Sequence, residues 1–192
     1  MYNKGIIKGI EQGLRDEIIS RKIFLTYPTY AFLGDYDLEF ELYDSISNEF
    51  KVPITSIQVV GSGKTGYSYL KSTPFILGDS DLDIAIVDPG LFQRYSEIVM
   101  RETSGFQNLS KFSRTADSNN YTSYKEYISK GIFRPDFIPT CEARKRWFNY
   151  FNRLSINYNS IFSDISGGIY FSQVFFEYKQ SQNIDLFKRK EQ

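Results

Sequence analysis

Histidine is absent from the chain, and cysteine occurs once, as Cys141. The absence of histidine excludes a Ser-His-Asp triad, a Cys-His dyad and the histidine-rich zinc and iron sites. A single cysteine excludes an internal disulfide and any metal site built from four cysteines. Catalysis by this chain would therefore rest on carboxylates, lysine, tyrosine, serine or a bound metal ion.

Long apolar runs are also missing from the sequence. A membrane-spanning helix needs about 18 or more consecutive apolar residues, so we predict no membrane-spanning segment. The N-terminal residues lack the apolar region of a secretory signal. We therefore expect a cytoplasmic protein that has no membrane partner.

Aromatic residues are abundant, with 17 Phe and 15 Tyr among 192 residues, which predicts a packed core rather than a disordered chain. The 23 basic and 23 acidic residues cancel in number but are unevenly distributed. Residues 1–100 hold 9 basic and 14 acidic residues, whereas 101–192 hold 14 and 9. Either the acidic half carries a metal site and the basic half binds phosphate, or the two halves simply attract each other.

Apolar residues spaced by four, with charges between them, predict several helices. The predicted helices cover residues 5–21, 35–50, 89–101 and 142–154. β-Branched residues predict strands over 54–61 and 80–88. Residues 121–130 fit a short helix or a strand, 169–180 form a final aromatic segment, and the polar residues around Asp117 predict a loop.

These elements predict an α/β fold of the α+β kind, in which a mixed sheet is flanked by helices and followed by a helical, aromatic-rich C-terminal part. We divide the chain into a core with N-terminal helices, 1–105, and a mainly helical C-terminal extension packed on that core, 106–192.

Two carboxylates open the second predicted strand, in Asp81-Leu82-Asp83. Because strand side chains alternate, Asp81 and Asp83 project from the same face. Two neighbouring carboxylates repel each other unless a cation lies between them, and Mg²⁺ prefers oxygen ligands. The pair therefore predicts a metal site, while the alternative is a solvated strand edge whose charges prevent aggregation.

A Gly-Ser pair, Gly61-Ser62, ends the first predicted strand. Glycine lets the backbone approach a phosphate closely, and serine offers both an N–H and a hydroxyl group. Strand, Gly-Ser turn and helix N-terminus together predict a binding site for the phosphates of a nucleotide.

Gly61-Ser62 followed by Asp81-Leu82-Asp83 resembles the core motif of the DNA polymerase beta-type nucleotidyltransferases. That superfamily includes CCA-adding and poly(A) polymerases, minimal antitoxin nucleotidyltransferases and the cyclic-oligonucleotide synthases of anti-phage defence. The resemblance covers residues 38–101, about a third of the chain. It implies a nucleotidyltransferase-like mixed sheet, with Gly61 and Ser62 on the phosphates of an NTP and Asp81 and Asp83 on Mg²⁺ or Mn²⁺.

Active members of this superfamily generally add a third carboxylate from a later strand. Asp136 is our first candidate because hydrophobic residues surround it, although Pro135 beside it cannot donate to a sheet ladder. Asp185 is the second candidate. If neither carboxylate reaches the site, the protein binds nucleotide without transferring it.

Lys64 lies in a Gly-Lys-Thr sequence that suggests a P-loop, but the first glycine of that pattern is missing, since Gln58, Val59 and Val60 stand in its place. We therefore exclude a P-loop and keep two roles for Lys64, a contact with the NTP phosphates or a solvated loop position. The basic sequence Arg144-Lys145-Arg146 fits either a nucleic-acid surface or an ordinary basic helix face.

Two functions follow as expectations. The first is a Mg²⁺-dependent nucleotidyltransferase that uses Asp81, Asp83 and Asp136 and releases pyrophosphate. Its acceptor stays open among RNA such as tRNA, a protein hydroxyl, a small molecule and a second nucleotide. The resemblance also suggests a toxin–antitoxin or anti-phage setting with a partner protein from the same system. The second function is an inactive module of the same fold that binds nucleotide, RNA or a protein.

Overall fold

The structure, a computed structural model, describes residues 1–113 and 119–190. Within these residues the chain forms eight α-helices and six β-strands. The helices are α1 (Tyr2–Glu11), α2 (Asp16–Arg21), α3 (Tyr36–Phe50), α4 (Gly61–Thr65), α5 (Pro89–Glu102), α6 (Asn120–Ser129), α7 (Glu142–Asn157) and α8 (Gln173–Lys190). The strands are β1 (Ile57–Val60), β2 (Tyr67–Ser68), β3 (Thr73–Pro74), β4 (Leu82–Val87), β5 (Ile132–Phe133) and β6 (Ile165–Tyr170). Asp117, which marks the predicted polar loop, lies outside the described residues.

The main sheet is mixed and has four strands in the order β1-β4-β6-β5. Strand β4 pairs antiparallel with β1 and parallel with β6, and β5 closes the other edge antiparallel to β6. A parallel pair needs a long crossover connection, and the chain from α5 to α7 supplies it between β4 and β6. Strands β2 and β3 form a separate small sheet in the loop that precedes β4.

The two faces of the main sheet pack into two different apolar clusters because strand side chains alternate. Ile84 and Ile86 of β4 join a cluster with residues from α3, α5 and α7. Ala85, on the opposite face, joins a second cluster with residues from α1, α2 and α8. Asp83 shares the face of Ala85 and precedes it on the strand, so it lies beside the second cluster.

The predicted α+β fold is confirmed, with a mixed sheet flanked by helices and a helix-rich, aromatic C-terminal part. The segment 106–192 supplies β5 and β6, which are half of the main sheet, in addition to its helices. Among the described residues, no helix combines the length and apolarity needed to span a bilayer.

One predicted helix, over 5–21, is wrong because the chain turns between α1 and α2. Gly13 adopts a φ of +67° at this turn, a backbone conformation that glycine reaches without strain. The helix predicted from residue 35 is confirmed as α3, since the Asp35 carboxylate accepts a hydrogen bond from the Leu38 N–H at 3.1 Å. The helix predicted from Pro89 is confirmed as α5, capped in the same way by Asp88.

The last aromatic segment also differs from the prediction. Residues 165–170 form strand β6, and helix α8 begins only at Gln173. The sequence Ser166-Gly167-Gly168 hid this strand, because glycine is unfavourable inside strands. A Cβ on Gly167 would lie only 2.4 Å from Cζ of Phe151, so the close packing of α7 on β6 requires glycine there.

Candidate active site

Asp83 lies where three strands meet. Its cross-strand partner on β1 is Val60, and its partner on β6 is Ser166. Because Val60 ends β1, the next residue, Gly61, turns beside the Asp83 carboxylate. The antiparallel pairing of β1 and β4 therefore brings together the Gly-Ser turn and the two carboxylates that the sequence predicted as one site.

Gly61 makes this close approach possible. Its φ is +63°, in the left-handed region, and a Cβ there would lie 3.2 Å from Oδ2 of Asp83. A second glycine, Gly63, lets α4 lie directly on the sheet, since a Cβ there would lie 2.9 Å from Cδ1 of Leu82. These two glycines fix Ser62 between them, at the start of the short helix α4.

Asp83 keeps solvent-accessible surface, but nearby protein atoms partly desolvate its carboxyl, and this desolvation raises its pKa. The Ser166 hydroxyl donates a hydrogen bond to Asp83 Oδ1 at 3.0 Å and lowers the pKa. The negative charge of Asp81 raises the pKa again, and the positive charges of Arg134 and Lys71 lower it. The net shift is upward, so the ionised carboxylate is held in surroundings that favour its protonated form.

A hard divalent cation suits this pair of carboxylates, because it would compensate both the desolvation and the mutual repulsion of Asp81 and Asp83. Within residues 1–113 and 119–190, no three side chains of the Asp, Glu, His and Cys types lie close enough together to hold a metal ion. A metal at this place would therefore take its other ligands from water or from substrate oxygens, as Mg²⁺ commonly does.

Lys64 is buried, with 4% of its surface exposed. Its ammonium donates a hydrogen bond to the Tyr27 carbonyl oxygen at 2.7 Å. Burial lowers its pKa to about 8, against a smaller opposing effect of Glu39. The Tyr27 carbonyl takes one of the three ammonium donors, and a role of Lys64 in nucleotide binding stays a prediction.

Asp136 follows edge strand β5, in a short 3-10 turn. Its carboxylate accepts two hydrogen bonds from the Arg134 guanidinium, at 2.8 and 3.1 Å. Arg134 also extends over β6, where a Cβ on Gly168 would lie 3.5 Å from its Cδ. Asp185, the second candidate, pairs with Arg189 on α8 at 2.6 Å. Both candidate third carboxylates are thus engaged by arginine.

Sequence reasoning missed the contribution of β6. Ser166 on this strand stands directly opposite Asp83, and Asp164 lies just before the strand, where its carbonyl oxygen accepts a hydrogen bond from the Leu82 N–H at 2.8 Å. The Asp164 carboxylate accepts a hydrogen bond from the Ser155 hydroxyl at 2.7 Å. Asp164-Ile165-Ser166 resembles Asp81-Leu82-Asp83 in that an aspartate directly precedes the apolar first residue of a strand. This similarity is the feature from which strand β6 could have been predicted.

Comparisons with known proteins gave no match to this chain, whether with protein-family models, with curated proteins or with solved structures.

Proposed function

We propose that this chain binds a Mg²⁺–nucleoside triphosphate at the Asp81–Asp83 pair and transfers its nucleotidyl group to an acceptor hydroxyl. One observation carries the proposal. The left-handed Gly61 turn lies against the Asp83 carboxylate, so backbone suited to a phosphate and a carboxylate suited to a cation are direct neighbours. The resemblance of the motif to nucleotidyltransferases supports the same chemistry.

One set of residues would bind the phosphates and another would bind the cation. Gly61 and Ser62 would bind the triphosphate through backbone N–H groups and the serine hydroxyl. Asp81 and Asp83 would hold the cation, and the Ser166 hydroxyl keeps Asp83 Oδ1 in place. Bound Mg²⁺ would supply positive charge for the phosphate oxygens. The acceptor hydroxyl attacks the α-phosphorus, the bond to the β-phosphate oxygen breaks, and pyrophosphate and a proton are released.

Asp164 is our choice for a third carboxylate, because its carbonyl oxygen accepts a hydrogen bond from the N–H of Leu82, the residue between Asp81 and Asp83. To act there, it would exchange its hydrogen bond from Ser155 for one from the acceptor. Asp136 would first have to leave Arg134, which holds its carboxylate through two donors.

A second candidate function is nucleotide binding without transfer. The specific observation in its favour is Ser166, a neutral residue, at the strand position directly opposite Asp83. Under this alternative the site binds Mg²⁺ and nucleotide through two carboxylates, and the protein signals its loaded state to a partner.

The deciding experiment incubates the protein with each labelled NTP, Mg²⁺ or Mn²⁺, and total RNA or lysate, and follows pyrophosphate release and label transfer. Transfer that is lost in Asp83→Asn and in Asp164→Asn supports the catalytic proposal. Calorimetric binding of Mg²⁺–NTP without any pyrophosphate assigns the binding function instead. Turnover that survives Asp83→Asn contradicts both.

Ser166→Asp provides an independent arm of the same test. It places a third carboxylate opposite Asp83, so Mg²⁺ affinity should rise if the pair binds metal. Ser110→Asp, at an exposed position between α5 and α6, is the matched control for an added charge. Equal effects of the two substitutions would show that the Asp83 surroundings do not select a divalent cation.

A further inference from the structure

We propose that the cavity between the C-terminal end of α6, strand β5 and helix α8 binds a nucleotide unit, either a free mononucleotide or the 3′ end of a single-stranded RNA. This inference rests on the proposed function, because such a ligand would place its hydroxyl as the acceptor. The cavity has a volume of about 410 Å³, within the range of small-molecule sites.

The wall contributed by α8 is apolar and aromatic. Val174 and Tyr178 are one helical turn apart and line the cavity while remaining 64% and 63% exposed. Phe175 and Ile132 complete the apolar surface. An exposed tyrosine ring in a concave apolar site is suited to stack a base, because every base presents a π-face.

The rim of this cavity is cationic. Lys130 and Lys179 both line it, and Arg134 lies nearby, because the Lys130 ammonium and the Arg134 guanidinium are 5.5 and 5.9 Å from the same Tyr127 ring. Burial lowers the pKa of Lys179, and the positive charges of Lys130 and Arg134 lower it further. Three like charges that repel one another are stabilised by a bound anion.

Carboxylates neutralise only part of this charge. Glu126 accepts from Lys130 at 2.7 Å, and Asp136 accepts from Arg134 at 2.8 Å. Lys179 forms no ion pair with any residue of the described chain, and its ammonium donates instead to the Gln182 amide oxygen at 2.7 Å. Lys179 is therefore the cation best placed to accept a phosphate.

Arg134 connects this cavity to the candidate active site. Its side chain crosses Gly168 of β6, two residues from Ser166, and its charge acts on both Asp83 and Lys179. A ligand with its phosphate at Lys179 would thus lie near Arg134, whose charge also acts on the Asp83 carboxylate. An aromatic wall, a cationic rim and this neighbouring site together favour a ligand that combines a base with a phosphate.

The test uses fluorescence anisotropy with a short labelled RNA that has a free 3′ hydroxyl and no triphosphate, with unlabelled AMP as competitor. Lys179→Ala should weaken RNA binding about tenfold at low salt and reduce the slope of log affinity against log salt by about 1. Tyr178→Ala should also weaken binding about tenfold, through lost stacking. Matched controls are Arg189→Ala, which removes a cation from the same helix, and Tyr36→Ala, which removes an exposed tyrosine elsewhere.

Weaker RNA and AMP binding in both cavity variants supports a mononucleotide-sized site. Weaker RNA binding alone supports a site for the end of a longer strand. Affinities that match the Arg189 and Tyr36 controls overturn the proposal. Because the probe has no triphosphate, its binding is independent of Asp81 and Asp83. A failure of the proposed function therefore appears separately, as Mg²⁺–NTP binding that survives Asp83→Asn.

Discussion

Lys64 allows a quantitative test of how the Gly-Ser turn is supported. Its ammonium is buried under the turn, and its pKa falls from 10.5 to about 8 in the folded protein. The difference corresponds to about 3 kcal/mol by which the charged lysine disfavours folding at neutral pH, since one pKa unit is about 1.4 kcal/mol. The hydrogen bond to the Tyr27 carbonyl, which a neutral lysine would also make, is worth about 1 kcal/mol.

The pH dependence follows from the direction of this change. The folded protein releases the Lys64 proton near pH 8, whereas the unfolded chain retains it up to about pH 10.5. The unfolded state therefore binds more protons between these values, and stability rises with pH there. From pH 7 to pH 10, Lys64 alone should add about 2.5 kcal/mol to the free energy of unfolding.

Lys64→Met removes the charge and keeps a side chain of similar length. At pH 7 the variant should be more stable than the wild type by about 2 kcal/mol, since it loses both the burial cost and one hydrogen bond. By pH 10 this advantage should vanish, because the wild-type lysine is then neutral when folded. Urea unfolding of both proteins across this pH range measures the difference, from which contributions of other groups cancel. A variant that is less stable at pH 7, with an unchanged pH profile, would refute the burial of a costly charge.

Three further predictions concern the site itself. Asp83→Asn should raise the melting temperature of the metal-free protein at pH 7, because it removes a carboxylate whose ionised form is disfavoured. This gain in stability should disappear at pH 3. Calorimetry of the same variant should show that Mg²⁺–NTP binding is lost. Ser166→Ala removes a hydrogen bond that lowers the pKa of Asp83, so acidification should abolish Mg²⁺–NTP binding at a higher pH than in the wild type; superimposable pH titrations would contradict this. Gly61→Ala places a Cβ beside Asp83 on a backbone in the left-handed region, so urea unfolding should show a loss of about 1–2 kcal/mol and NTP binding should weaken. Gly13→Ala causes the same backbone strain at an open turn, so it should cost similar stability but leave NTP binding intact.

Local signals predicted the parts of the site that are close together in sequence or fixed by strand alternation. Their spacing predicted Asp81 and Asp83 on one strand face; in the structure Asp83 lies on β4, whereas Asp81 directly precedes the first residue of that strand, Leu82. The turn at Gly61 followed from a β-rich segment ending in glycine, which is now β1. The register that joins the two, with Val60 opposite Asp83, could only be inferred from the resemblance, because pairing between distant strands leaves no periodic signal.

The third strand of the site was beyond local reasoning for a physical reason. Residues 165–170 contain two glycines, which lower strand propensity, and they form a strand because β4 and β5 pair with them on both sides. Lys64 shows the same limit. Its sequence neighbours suggest a solvated loop, and only the packing of α4 under the segment around Tyr27 buries its ammonium.

The opposite charges of the two halves of the chain are used in two different ways. Some cross between the halves and hold helices together, as in the ion pair between Lys188 and Asp16. In the described residues, however, Asp81 and Asp83 form no ion pair, and Lys179 forms none either. An acidic pair without a cation and a half-buried cation without a carboxylate both disfavour folding, so attraction between the halves does not account for them. Both features, which share Arg134 as a charged neighbour, are explained if the first receives a metal ion and the second a phosphate, and both affinities should then fall as salt is added.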